Sequence, residues 1–139
     1  MKRQILAGAA LAATALSSLA SAHVIPRQET VRQVDNFPAS GVPGKRLVSL
    51  IVDYPPGAKS VPHRHAGSAF IYAYVLSGEI RSAINDETAR VYRAGETWFE
   101  KPGSHHRVSE NASNERPARL LAVFIVDEAE GQLTTPDAH

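Results

Sequence analysis

The sequence predicts an all-β, single-domain protein, and three observations carry that prediction. Apolar and polar residues alternate with period two in several stretches. Turn signals recur every 8 to 12 residues. No 3.6-residue periodicity of useful length appears after the first two dozen residues. The chain has 139 residues and no cysteine, so packing, a metal or a partner subunit must hold the fold.

The elements follow in order. "MKRQ" is a short basic start, "ILAGAALAATALSSLA" an alanine-rich apolar run, and "ASA" ends it at Ala22. This is the pattern of a secretory signal peptide, residues 1–22. The run is short of the roughly 20 apolar residues that a spanning helix needs. Export to a secreted or periplasmic location is expected, with a chain beginning at His23 and no membrane partner after cleavage. Without Lys2 and Arg3 the formal charge falls from +1 to −1. No basic block survives, so nucleic acid is not an expected partner.

Residues 23–44 are polar and turn-rich and read as an N-terminal arm along the domain or a neighbouring subunit. The strand pattern begins at Lys45. In "KRLVSLIVDY" Val48, Leu50, Val52 and Tyr54 share one face, and "PPG" ends the run. "FIYAYVLS" is an aromatic and β-branched strand closed by Gly78. "EIRSAI", "ARVYR", "TWFE" and "HHRVSE" follow, separated by turns at "NDE", Ala94-Gly95 and "PGS". "ARLLAVFIVD" is nearly all apolar and reads as a strand covered on both faces. These strands assign residues 45–127 to the barrel. Residues 128–139 have no pattern and read as a flexible C-terminal tail.

Chemistry concentrates in two clusters. His63 and His65 stand at i and i+2 in "PHRHAGS", so on a strand both imidazoles face one way, as a metal site needs. His105 and His106 follow a Pro-Gly turn in "TWFEKPGSHHRVSEN". With these residues the chain resembles the cupin superfamily, whose motifs are G(x)5HxH(x)3-4E(x)6G and G(x)5PxG(x)2H(x)3N. Gly57, His63, His65 and Gly78 fit the first; Gly95, Gly103 and His106 fit the second. The resemblance implies a cupin β-barrel (a jelly roll, or double-stranded β-helix) with His63, His65 and His106 as metal ligands. His105 would face away.

Two departures matter. The glutamate slot of the first motif falls on Ile71, Ala69 or Phe70, and no acid lies between residues 66 and 78. In the second motif Lys101 stands at the proline position, and the asparagine comes one residue late, at Asn111. The missing acid leaves two options: a site of three histidines, or a replacement acid. Glu100, at the end of "TWFE", is the candidate replacement and the candidate catalytic residue. Glu79 and Glu96 sit in turns.

The function implied is an exported cupin with one divalent metal ion. Iron or manganese is favoured, and zinc, nickel or copper would also suit such donors. As an enzyme it would be a dioxygenase-type oxidoreductase on a small chelating organic substrate, with Ile71, Ala73 and Val75 excluding water. The alternative is a non-catalytic metal or small-ligand binding module. A homodimer is expected, because an unpaired edge strand favours pairing. Phe70, Tyr72, Tyr74, Trp98 and Phe99 read as core or dimer contacts, and "NAS" at Asn111 is a glycosylation sequon.

Overall fold

A computed structural model describes residues 27–138; the expected signal peptide and His23 lie outside the described residues. The described residues form ten strands. They are β1 (Thr30–Pro38), β2 (Lys45–Tyr54), β3 (His63–His65), β4 (Phe70–Ser77) and β5 (Glu79–Ile84), then β6 (Arg90–Arg93), β7 (Thr97–Glu100), β8 (His105–Asn111), β9 (Ala118–Asp127) and β10 (Thr134–Pro136). Among the described residues no helix is long and apolar enough to cross a membrane.

The strands make two five-stranded antiparallel sheets, in the order β1-β2-β9-β4-β7 and β10-β3-β8-β5-β6. Their facing sides enclose the core, as in a jelly roll. The period-two pattern of "KRLVSLIVDY" puts Val48, Val52 and Tyr54 into that core and Leu50 at its edge. β9 alternates likewise: Leu120, Ala122, Phe124 and Val126 are buried. Leu121, Val123 and Ile125 on its outer face are only half-buried, so the second cover expected from its apolar run is incomplete.

Gly78 makes the tight turn from β4 to β5 with φ of 71°. A Cβ there would lie 2.5 Å from the Pro117 carbonyl oxygen, so only glycine fits.

Two segments are better integrated than the sequence suggests. The N-terminal arm contains β1, which pairs with β2 along nearly its whole length as the edge of the first sheet. All nine β1 residues are exposed, so no buried face stamps an alternation on them. The tail, read as flexible, carries β10 instead. It pairs with β3 as Thr134↔His65, Thr135↔Arg64 and Pro136↔His63. The Asp137 N–H donates to the Pro62 carbonyl at 2.9 Å, and Leu133 packs on the core.

Candidate metal centre

β3 and β8 are neighbours in the second sheet, and His63 pairs directly with His106. This register brings three imidazoles to one point between the sheets. One ring nitrogen from each of His63, His65 and His106 lies within 4.8 Å of the others. His65 and His106 are buried and His63 is half-buried.

The acid comes from the opposite sheet. Glu100 ends β7 and pairs with Ile71 of β4, so both side chains point inward at one level. Glu100 is 2% exposed. Its Oε2 lies 2.8 Å from His65 Nε2 and its Oε1 lies 3.5 Å from His106 Nδ1. The Trp98 indole N–H donates to Oε1 at 3.1 Å. Trp98 and Glu100 are i and i+2 on β7, which puts the indole beside the carboxylate it orients.

Other contacts hold the rings. His63 Nδ1 lies 2.8 Å from the Val61 carbonyl oxygen, to which it donates, leaving Nε2 as a lone-pair donor. Ser82 Oγ lies 2.9 Å from His106 Nε2, and Nδ1 faces Glu100. His65 differs. Among the described residues neither of its buried ring nitrogens has a hydrogen-bond partner, and neither does Glu100 Oε2, although Nε2 and Oε2 lie 2.8 Å apart. Buried polar atoms without partners are costly, and a cation between His65 Nε2 and Glu100 Oε2 would satisfy those two. The donor set therefore fits a divalent metal ion.

Electrostatics agree with that fit. Burial pushes His106 down to about 4, against the opposing pull of Glu100. Burial also lowers His63. Both rings are then neutral at pH 7, the ligating form. Burial works to raise Glu100, but its contact with His65 and the neighbouring His106 and Trp98 outweigh that and keep it below the ordinary carboxylate range.

The four side chains sit in a cavity of about 500 Å³, lined also by Leu50, Val52, Ile71, Ala73, Ala122 and Phe124. Val75, expected in this wall, lies in the buried core beyond it. Leu133, Thr134 and Pro136 of the C-terminal segment complete the rim.

His105 faces away, with Nε2 2.8 Å from Asp137 Oδ2. Glu79 and Glu96 pair with Arg93 and Arg90 on the surface. Asn111 is a structural clamp: its amide donates to the carbonyls of Tyr54, Pro55 and Arg116, and Oδ1 accepts from the Ser113 N–H. Its side chain is buried, so the sequon is not open to glycosylation in the folded chain. Glu29 was not singled out from the sequence, yet it lines the cavity. The only signal available was an acid early in the polar arm.

Comparison with known proteins agrees with this architecture. The family model for the cupin domain matches residues 50–124, and the chain belongs to that family. An uncharacterised conserved protein with a double-stranded β-helix domain from Klebsiella pneumoniae subsp. pneumoniae MGH 78578 superposes with a TM-score of 0.61 at 20% identity. The match covers 78% of this chain and 85% of that one. Oxalate oxidase in complex with the substrate analogue glycolate gives 0.60 at 24% identity, over 78% of this chain and 55% of that one. DMSP lyase DddQ from Ruegeria pomeroyi DSS-3 gives 0.59 at 21% identity, over 81% and 54%. The chain thus spans about half the length of either enzyme. These likenesses establish the fold. No curated protein matches the sequence.

Proposed function

We propose that His63, His65 and His106 hold one divalent metal ion, iron or manganese, in an enzyme of the cupin dioxygenase type. Its substrate is a small chelating organic molecule. The observation that carries this reading is His65, whose buried Nε2 has no hydrogen-bond partner among the described residues and stands beside two further imidazoles and a buried carboxylate. A bound ion would supply a Lewis acid with coordination positions open to O2 and substrate. The rest of the work falls to the chain. Glu100 is the one carboxylate among the histidines, placed to add charge at the ion or to take a proton from a ligand. Trp98 fixes its orientation. Ile71, Ala73 and Phe124 exclude water. Oxalate oxidase and a DMSP lyase share this fold, which supports a small oxygen-bearing ligand.

Metal analysis of the purified protein, followed by oxygen uptake with thiols, diketones, phenols and oxalate, tests the reading. About one ion per chain and uptake with one substrate class are expected. A bound ion with no oxygen uptake across the panel would favour the non-catalytic binding module.

Export and a homodimer belong to the same proposal. Phe70, Tyr72 and Phe99 stand exposed on the outer face of the first sheet, and Phe70 stacks on Phe99 at 6.0 Å between ring centres. An exposed apolar cluster of this kind suits a second copy. Intact-mass measurement of exported protein checks cleavage after Ala22. A monomer mass by light scattering would overturn the dimer.

A further inference from the structure

The cavity has a second polar end that the metal reading leaves unused. Tyr54, at the end of β2, puts its hydroxyl 2.9 Å from Ser60 Oγ and 2.7 Å from Ser109 Oγ. Tyr54 and Ser109 are buried, and all three residues line the cavity that holds the histidines. Three hydroxyls carry three protons, and their two contacts use two. Neither serine hydroxyl has another hydrogen bond among the described residues. One O–H and several lone pairs therefore remain for a further partner. Burial pushes the Tyr54 hydroxyl's pKa up, so it stays a neutral donor.

Glu29 also lines the cavity, near both Tyr54 and His63. The Lys59 N–H donates to the Arg27 carbonyl at 3.0 Å, which anchors the segment, and Gln28 and Glu29 then line the cavity. Among the described residues no lysine or arginine lines it. An anion would find no counter-charge at this end, whereas a hydroxyl can both donate to the carboxylate and accept from the network. His106 and Ser109 lie three residues apart on β8, at most roughly 10 Å along a strand. A chain of about four to six atoms spans that distance, and the cavity volume suits a small molecule.

We propose that Tyr54, Ser60 and Ser109, with Glu29, form a hydroxyl-recognising subsite, so that the ligand is a short hydroxy acid. Its carboxylate faces the three histidines and its hydroxyl faces Tyr54. The carboxylate end rests on the metal reading; the hydroxyl end does not.

Calorimetric titration of manganese-loaded protein with butyrate and 4-hydroxybutyrate tests this. The hydroxy acid should bind about tenfold more tightly, the value of one well-made hydrogen bond. In Tyr54→Phe, and separately in Ser109→Ala, the ratio should fall to about one while manganese content is kept. Removing the manganese should weaken both acids and leave the ratio intact. Equal affinities in the wild type, a preference that survives both substitutions, or no binding of either acid at millimolar concentration would overturn the subsite. Affinities unchanged by manganese removal, with the ratio intact, would support the subsite and overturn the metal reading instead.

Discussion

The two sheets contribute different chemistry to the same cavity. The second sheet supplies all three imidazoles, from β3 and β8, and the Ser109 hydroxyl. The first supplies most of the apolar wall, through Leu50, Val52, Ile71, Ala73, Leu120, Ala122 and Phe124, and a single carboxylate, Glu100. The difference teaches where charge can be moved in this fold. Two imidazoles on one short strand and a third on its neighbour are locked by register, because a one-residue slip would turn them to the other face. The acid has no such lock. Ile71 and Glu100 are a cross-strand pair at one level, so either strand can bring a carboxylate to the same place.

The second sheet's contribution is the one whose loss costs most. His106→Ala removes a ligand that Ser82 holds in place, and should lower metal affinity by more than roughly 100-fold, beyond the usual cost of losing an outer partner. Metal content after dialysis against a weak chelator measures it. Stoichiometry close to that of the wild type would show that the three-histidine site is misassigned.

Acid should weaken the same side of the cavity. In the metal-free protein His106 lies near 4, below its ordinary 6.5. The unfolded chain then binds the extra proton more readily than the folded one. Stability is fully present above about pH 6.5 and is lost as pH falls toward 4, by about 3 kcal/mol for a shift of this size. The lowered Glu100 adds a loss of the same sign below 4.5. Urea unfolding of metal-free protein at pH 7 and pH 4.5 reads the effect. Equal midpoints would mean that His106 is not neutral and buried in solution.

How much of this comparison was legible in the sequence depends on the sheet. The imidazoles were legible because HxH on a strand has one geometric meaning, and His106 stands at a fixed count from Gly95 and Gly103. Glu100 could be named as a candidate from the lack of acid between residues 66 and 78 and from its place before the His106 turn; its inward direction needed the pairing with Ile71. β1 and β10 escaped for a different reason. The side chains of both are exposed, even where Val31, Thr134 and Pro136 reach the cavity mouth, and their order comes from backbone pairing, which leaves no hydrophobic pattern to read. The Tyr54 network was equally silent, since Ser60 and Ser109 lie on separate segments and look like ordinary polar positions until the fold joins them.

Glu100→Gln sharpens the contrast between the sheets. It keeps the shape and the hydrogen bond from Trp98 while removing the charge. Metal affinity should fall about 10- to 100-fold with little loss of folding stability. Adding Ile71→Glu to that variant should restore affinity from β4, because the new carboxylate enters at the same level. Full affinity in Glu100→Gln alone would leave three histidines as the whole site. Failure of the double variant to recover would show that the strand, and not only the level, matters.

The smallest effect is expected from the histidine beside the site. His105 and His106 are consecutive on β8, so their side chains leave the sheet in opposite directions. His106 enters the cavity, while His105 meets Asp137 on the C-terminal segment at 2.8 Å. That contact is partly open to solvent, and such pairs contribute at most about 1 kcal/mol. His105→Ala should therefore leave metal content unchanged and lower stability by less than about 1 kcal/mol, as Asp137 loses one partner while its backbone N–H still reaches Pro62. Parallel metal analysis of His105→Ala and His106→Ala checks this directly. Equal losses in the two variants would mean that β8 presents the wrong face at its His105–His106 end; Ser109 lies beyond a register shift on this strand and is tested separately.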